Sequence, residues 1–294
     1  MPFEIDELYQ AYLKYNEFRK INPPSFHDRF IFPFLAGSYF AYRKIDVMRV
    51  VAVAKSISSQ PRYLDVGCGY GDFLEKVREF IPNAIGIEKN ASMFYAFGIK
   101  KPDYIHIQGI ESFEEEAFDV IFVGWMDPGI DFRKNVTKYT NCIITTFDVG
   151  GQCGINGQCD YEEYGFDRVA WWITPSWIDV NYELMNKYYT SINHNIKKDL
   201  FELRSAHNIW CIYARNEISN TVSEGLKSWI GLEDKLSLNN ERFDFESVLD
   251  DCGFKFCEEI PESKSKSKST STSTSKSTST STSKGKILWN VLFD

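Results

Sequence analysis

A chain of 294 residues with 43% hydrophobic and 25% charged side chains can bury a sizeable core, and suits one large domain with an insertion or two small ones. Its net charge of −8 argues against nonspecific nucleic-acid binding, which needs a basic surface that displaces counterions. The N-terminus MPFEIDELYQ has no apolar signal core, FIFPFLAG is too short for a membrane span, and seven cysteines, an odd number, fit reduced thiols; a soluble, cytoplasmic protein is the expectation.

Taken in chain order, residues 3–20 carry a helical apolar stripe that Asn22-Pro23-Pro24 ends. A second helix is predicted from a Ser38 cap through Lys55. From there the pattern changes. Short apolar runs at Arg62–Val66, Ala84–Glu88, Tyr104–Gln108, Phe118–Val123 and Cys142–Val149 read as strands. The intervening Asp72–Phe80, Ser92–Lys100 and Phe132–Tyr139 read as helices. Strands that alternate with helices and lack polar alternation predict a parallel sheet covered on both faces.

After Gly150 the alternation fades. Residues 150–240 are rich in Tyr and Trp, including Trp171, Trp172, Trp177 and Trp210, and read as an inserted substrate or cap segment. The WWITPSW run there suits either the core of a small subdomain or a cage for a cationic amine. Phe243–Asp251 then reads as a helix, and Phe254–Ile260 and Ile287–Phe293 as a closing pair of strands. Between them, residues 263–286 are almost entirely Ser, Thr and Lys, with nothing to bury, and are predicted to be a disordered surface loop. Cys153 and Cys159 in GQCGINGQC lack a second Cys/His pair at finger spacing, so no metal site is expected.

The strongest chemical signal is Asp65-Val66-Gly67-Cys68-Gly69-Tyr70-Gly71, between a predicted strand and a predicted helix. Glycines there allow a tight turn and close approach of a ligand, and the helix start offers unpaired N–H groups. A dinucleotide fingerprint would place glycine where Asp72 stands. The second signal is Glu88, at the end of the second predicted strand, where an acid can accept both ribose hydroxyls of an adenosine.

With GIEKN and FDVIFVGW, the DVGCGYG loop resembles motifs I, II and IV of the class I S-adenosylmethionine-dependent methyltransferases, over about residues 62–149 and again over 243–294. The resemblance implies a Rossmann-like α/β fold with a seven-stranded, mostly parallel sheet and an antiparallel last strand. Residues 61–149 and 241–294 would form the cofactor domain, after an N-terminal helical segment over 1–60. It implies S-adenosylmethionine as cofactor. Asp65 would reach its amino group, Gly67, Gly69 and Gly71 would lie under the methionine moiety, and Glu88 would hold the ribose. Ile110 or Glu111 would lie beside the adenine, although relatives often carry an acid directly after Gly109. Trp125 is a further candidate contact.

Methyl transfer demands no particular catalytic residue. Asp127 and Asp148, at the ends of the fourth and fifth predicted strands, are candidate bases, and His27, Tyr39 and Tyr42 candidate lid residues. Asp127-Pro128 partly matches a motif of base-methylating enzymes and equally suits a turn. The acceptor is expected to be a small molecule or protein side chain rather than nucleic acid. A non-catalytic cofactor-binding protein and a nicotinamide-dependent oxidoreductase are the alternatives.

Overall fold

The computed structural model describes residues 41–90, 100–113, 117–124, 126, 129–147, 153–155, 157–176, 179–180, 183, 209–233, 242–243, 246–254, 256 and 288–294. The helix expected over 3–20, nearly all of the one over 92–100 and the Ser/Thr/Lys run lie outside these residues. So do His27, Tyr39, Trp125, Asp127, Asp148 and Trp177.

The described elements are α1 (Lys44–Ile57), β1 (Tyr63–Val66), α2 (Asp72–Arg78), β2 (Ile85–Glu88), β3 (Ile105–Ile107), β4 (Val120–Val123), α3 (Arg133–Val136), β5 (Cys142–Phe147), β6 (Asp167–Ile173), β7 (Ile209–Ala214), α4 (Asn216–Glu233), α5 (Glu246–Asp251) and β8 (Leu292–Phe293). Eight strands form one sheet in the order β3-β2-β1-β4-β5-β7-β6-β8. The first five pair in parallel, and β7 runs antiparallel to both β5 and β6. This is the Rossmann-like α/β fold expected from the sequence, with eight strands rather than seven.

Side chains alternate across the sheet because the strand period is two. On one face Tyr63, Val120, Phe122, Ile144, Trp210 and Ile212 pack with α1 residues Val47, Val50 and Ala54 and α2 residues Phe73 and Leu74. On the other, Leu64, Val66, Ile121, Val123, Ile143 and Tyr213 pack with Ile110, Phe113 and Val136. The part-exposed positions of α1, Lys44, Met48 and Ala52, recur every four residues as one narrow stripe, and the rest of the helix down to Ala54 is a wide buried face. That face belongs to the main core, so α1 is an integral layer of the domain. Gly225 of α4 faces Ser56 of α1 so closely that a Cβ would collide with it, and this lets the two helices approach.

The structure corrects the reading of residues 150–240 and of the closing strands. Two strands of the central sheet, β6 and β7, and all of α4 come from this stretch, which is therefore not an insertion set apart from the sheet. IWCIYA is apolar on both faces because β7 is flanked by β5 and β6 and covered on both sides. The antiparallel hairpin partner of β7 is β6, not a C-terminal segment. Phe254 does not begin a strand; its N–H donates to Leu249 O at the end of α5. Ile287–Phe293 is reduced to the two residues of β8, antiparallel to β6 at the sheet edge. It does lie in the same sheet as β1, with its pairing antiparallel as expected.

A buried knot ties α1 to the C-terminal elements. The Asp46 carboxylate, 0% exposed, accepts from the Arg43 N–H (2.8 Å), the Trp172 indole N–H (2.7 Å) and the Trp289 indole N–H (3.0 Å). Arg49 lies 4.0 Å from it. The Arg43 guanidinium donates to Glu246 (3.0 Å), to Asp250 (2.6 Å) and to Phe254 O (2.6 Å), and lies over the Trp289 ring. Two tryptophans from distant β6 and the C-terminus thus share one acceptor on the first described helix.

Candidate functional site

The strand order reverses at β1, whose neighbours are β2 on one side and β4 on the other. Chains that leave such a switch point in opposite directions open a crevice at the strand ends, where open α/β sheets bind ligands. The glycine loop begins there. Gly67, Gly69 and Gly71 all have positive φ, at 71°, 58° and 86°, a region in which a side chain costs about 1–2 kcal/mol. The loop is pinned to the next strand: the Gly67 and Cys68 N–H groups donate to Ile87 O at 2.9 and 3.2 Å. Gly71 then caps α2, with Glu75 N–H donating to its carbonyl.

Glu88 stands at the end of β2 and joins the loop. Its Oε2 accepts the Gly69 N–H at 3.1 Å, and its Oε1 accepts the Asn90 N–H at 2.8 Å. Asp65, on β1, is 2% exposed. Burial pushes its carboxyl well above the usual range, and the neighbouring Glu88 pushes it further; no hydrogen bond opposes either effect. Asp72 opens α2, and its carboxyl is raised to about 7, by burial first and then by Glu75, against the pull of Lys76. Three carboxyl groups thus border the glycine loop, an arrangement that favours a cation. Lys89, the residue after Glu88, is turned outward and paired with Glu111 at 2.5 Å.

The structure therefore brings Asp65, Gly67, Gly69, Gly71 and Glu88 together at one sheet edge. It separates the two candidates beyond β3. Ile110 is 2% exposed and packs in the core with Leu64, Val66 and Ile87, so its side chain does not face the crevice. Glu111 is on the surface, with its carboxyl held below the usual range by the Lys89 hydrogen bond. The reason is local: Ile110–Ser112 forms one 3₁₀ turn, which rolls the apolar residue inward and the acid outward. Tyr42 is fully buried, edge-on to Phe73 at 5.0 Å, and is a core residue rather than a lid. Trp172 is likewise core, stacked on Trp210 at 5.2 Å with Arg49 over its ring, which leaves no open aromatic cage there.

One contributor escaped the sequence reading. A Cβ on Gly86, in the middle of β2, would lie 2.7 Å from Cys68 Sγ and 2.7 Å from Leu74 Cδ2. The bare backbone of β2 is what lets the loop and α2 settle onto the sheet. A glycine inside a strand run signals such an approach.

Beyond β4 and β5, Met126 and Gly129 are bound to Gly154. The Gly129 N–H donates to Gly154 O (2.8 Å), and the Gly154 N–H to Met126 O (3.1 Å). Arg133 anchors this edge, 3% exposed, paired with Asp131 at 2.8 Å and Glu163 at 2.7 Å and donating to Asp160 O at 2.8 Å. Cys153 and Cys159 are both buried there, and no disulfide joins them. Among the described residues no three His, Cys, Asp or Glu side chains converge as metal ligands. No described helix is long and apolar enough to cross a membrane.

No family model matches the chain, and no curated protein matches it. Solved structures do. DesVI of Streptomyces venezuelae is 15% identical over 35% of this chain and 50% of that one, with a TM-score of 0.30. CalS10, described as an amino pentose methyltransferase from Micromonospora echinaspora and solved with SAM bound, is 14% identical over 50% of this chain and 57% of that one, with a TM-score of 0.31. The plantazolicin methyltransferase BpumL, solved with SAH, is 14% identical over 58% and 85%, also with a TM-score of 0.31. The chain spans about half the length of DesVI and CalS10. Likeness this distant says nothing of activity. The chain's own strand order, with an antiparallel β7 between β5 and β6 and a glycine loop after β1, is that of a Rossmann-like fold of the kind its sequence motifs resemble.

Proposed function

We propose that this protein binds S-adenosylmethionine and transfers its methyl group to a small molecule or a protein side chain. The observation that carries the reading is the electrostatics of the glycine loop: Asp65, Asp72 and Glu88 gather around it. A pyrophosphate would meet like charge there, whereas a donor bearing an ammonium and a sulfonium meets opposite charge. The residues fit such a donor. The left-handed glycines leave room under a methionine moiety. Asp65 has no hydrogen-bond donor of its own and would accept from the α-ammonium. Glu88 would accept from the ribose hydroxyls, since each carboxylate oxygen can take more than one bond.

When bound, the cofactor supplies a methyl group on a sulfonium leaving group. The chain's part is to hold donor and acceptor in line, an alignment worth about 7–11 kcal/mol. Asp127 and Asp148 remain the candidates to take a proton from an acceptor that carries one. The net charge of −8 supports an acceptor other than nucleic acid.

Calorimetric titration with S-adenosylmethionine, S-adenosylhomocysteine and NAD tests the reading. Binding of the first two and not the third is expected. Binding of NAD alone would overturn it. A methyl-transfer screen over amines, carboxylates, phenols and peptides then separates an enzyme from a binding protein.

A further inference from the structure

Tyr63 and Asp65 occupy alternate positions of β1, so their side chains leave the sheet on the same face, under α1 and α2. Tyr63 is 0% exposed, and its hydroxyl has no hydrogen-bond partner among the described residues. Burial first, and then Asp65 and Cys68, raise the phenol well above its ordinary range, so it keeps its proton and can only gain by donating it. Asp65, two positions along, has a carboxyl that receives no hydrogen bond from the described residues. Beneath the glycine loop there is thus a donor without an acceptor and, nearby, an acceptor without a donor. The titratable groups that bear on the pair are Cys68 in the loop and Glu88 on β2, and Asp72 on α2 bears in turn on Cys68; all are acidic.

An unpaired buried hydroxyl is costly, and phenylalanine would fill the same volume without it. The hydroxyl therefore needs a use when a ligand is bound. We propose that Tyr63 is a positioning residue for the bound donor, its O–H closing onto the Asp65 carboxylate when a cationic amino acid moiety enters the loop. This rests on the cofactor reading above. The order of events follows from charge. Without a cation, burial and Glu88 keep Asp65 toward its neutral form, a poor acceptor. An ammonium beside it favours the carboxylate, and a hydrogen bond to a carboxylate is about twice as strong as one between neutral groups. Tyr63 would then fix which way the carboxylate faces.

The test is Tyr63→Phe, which removes only the hydroxyl. Its binding of S-adenosylhomocysteine, which carries the α-ammonium, is compared with that of 5′-methylthioadenosine, which lacks the amino acid moiety. Thermal melting of the ligand-free protein is followed alongside. The expected result is a higher melting temperature, a loss of S-adenosylhomocysteine affinity of about five- to tenfold, and a change for methylthioadenosine of less than about twofold. Unchanged binding of both ligands overturns the inference and leaves the cofactor reading standing. Equal weakening of both also overturns it, because a packing defect under the loop would do that. A wild-type protein that binds neither ligand overturns both the inference and the cofactor reading.

Discussion

Asp46 and Asp65 are both buried acids, each between a helix layer and the sheet, and they are furnished in opposite ways. Asp46 is met by two indole N–H groups, a backbone N–H and a nearby guanidinium, drawn from α1, β6 and the C-terminal segment. Asp65 is met by no donor among the described residues and has a second carboxylate for a neighbour. The first spends every hydrogen bond it has on joining distant parts of the chain. The second keeps its capacity unspent at the mouth of a crevice. Buried polar groups in folded proteins are nearly always satisfied, so the place where they are not is the place where a ligand is to be expected.

Removing each acid breaks the comparison most directly. Asp46→Ala should leave two buried indoles and the Arg43 backbone N–H without their acceptor, and remove the carboxylate beside Arg49. A loss of about 3–5 kcal/mol in denaturant unfolding is expected, the cost typical of breaking a buried charged network. Asp65→Asn should unfold no more easily than wild type, because it removes a carboxyl that nothing in the free protein stabilises. If the two variants lose stability equally, the contrast is wrong.

The same contrast has a pH signature. Burial, the largest influence on Asp46, lifts its pKa from 3.8 to about 6, against Arg49, the Arg43 N–H and the two indoles. A folded-state value above the unfolded one means the folded protein holds this proton more tightly. The stability it brings is fully present below pH 3.8 and is lost as pH rises through 6. Its size is about 3 kcal/mol, from roughly 1.4 kcal/mol per unit. Unfolding free energies from pH 4 to 7 should therefore fall more steeply in wild type than in Asp46→Asn. Parallel curves for the two proteins would remove Asp46 from the account.

Glu88→Ala sharpens the other side. The carboxylate holds the Gly69 and Asn90 N–H groups and is placed for ribose hydroxyls. A loss of about 1.5–3 kcal/mol in S-adenosylmethionine binding is expected, one to two decades by titration. Glu79→Ala, at the end of α2 and away from the loop, is the control and should bind as wild type. Undiminished binding by Glu88→Ala would misplace the ribose. The smallest effect should come from the Ser/Thr/Lys run. Replacing residues 263–284 by a short turn should leave the melting temperature within about 1 °C and the affinity unchanged, because such a sequence has little to bury.

The sequence by itself settled what depends on neighbours along the chain. The glycine loop, the acid ending β2 and the five strands β1 to β5 are local patterns, and each stands where the sequence placed it within a residue or two. Across residues 150–240 the local pattern was ambiguous. IWCIYA is a short apolar run, and such a run reads equally as buried strand or as core of a subdomain until its partners are known. Those partners, β5 and β6, lie about 65 and 40 residues back along the chain and were chosen by packing. Tertiary structure also decided the fates of single residues. Ile110 and Glu111 are adjacent in sequence, and one 3₁₀ turn sends the first into the core and the second to the surface. Asp46 and Tyr63 gave no signal in the sequence, because a buried acid is recognised by the donors that converge on it and a buried hydroxyl by the partner it lacks. Convergence from α1, β6 and the C-terminus is a property of the folded chain alone.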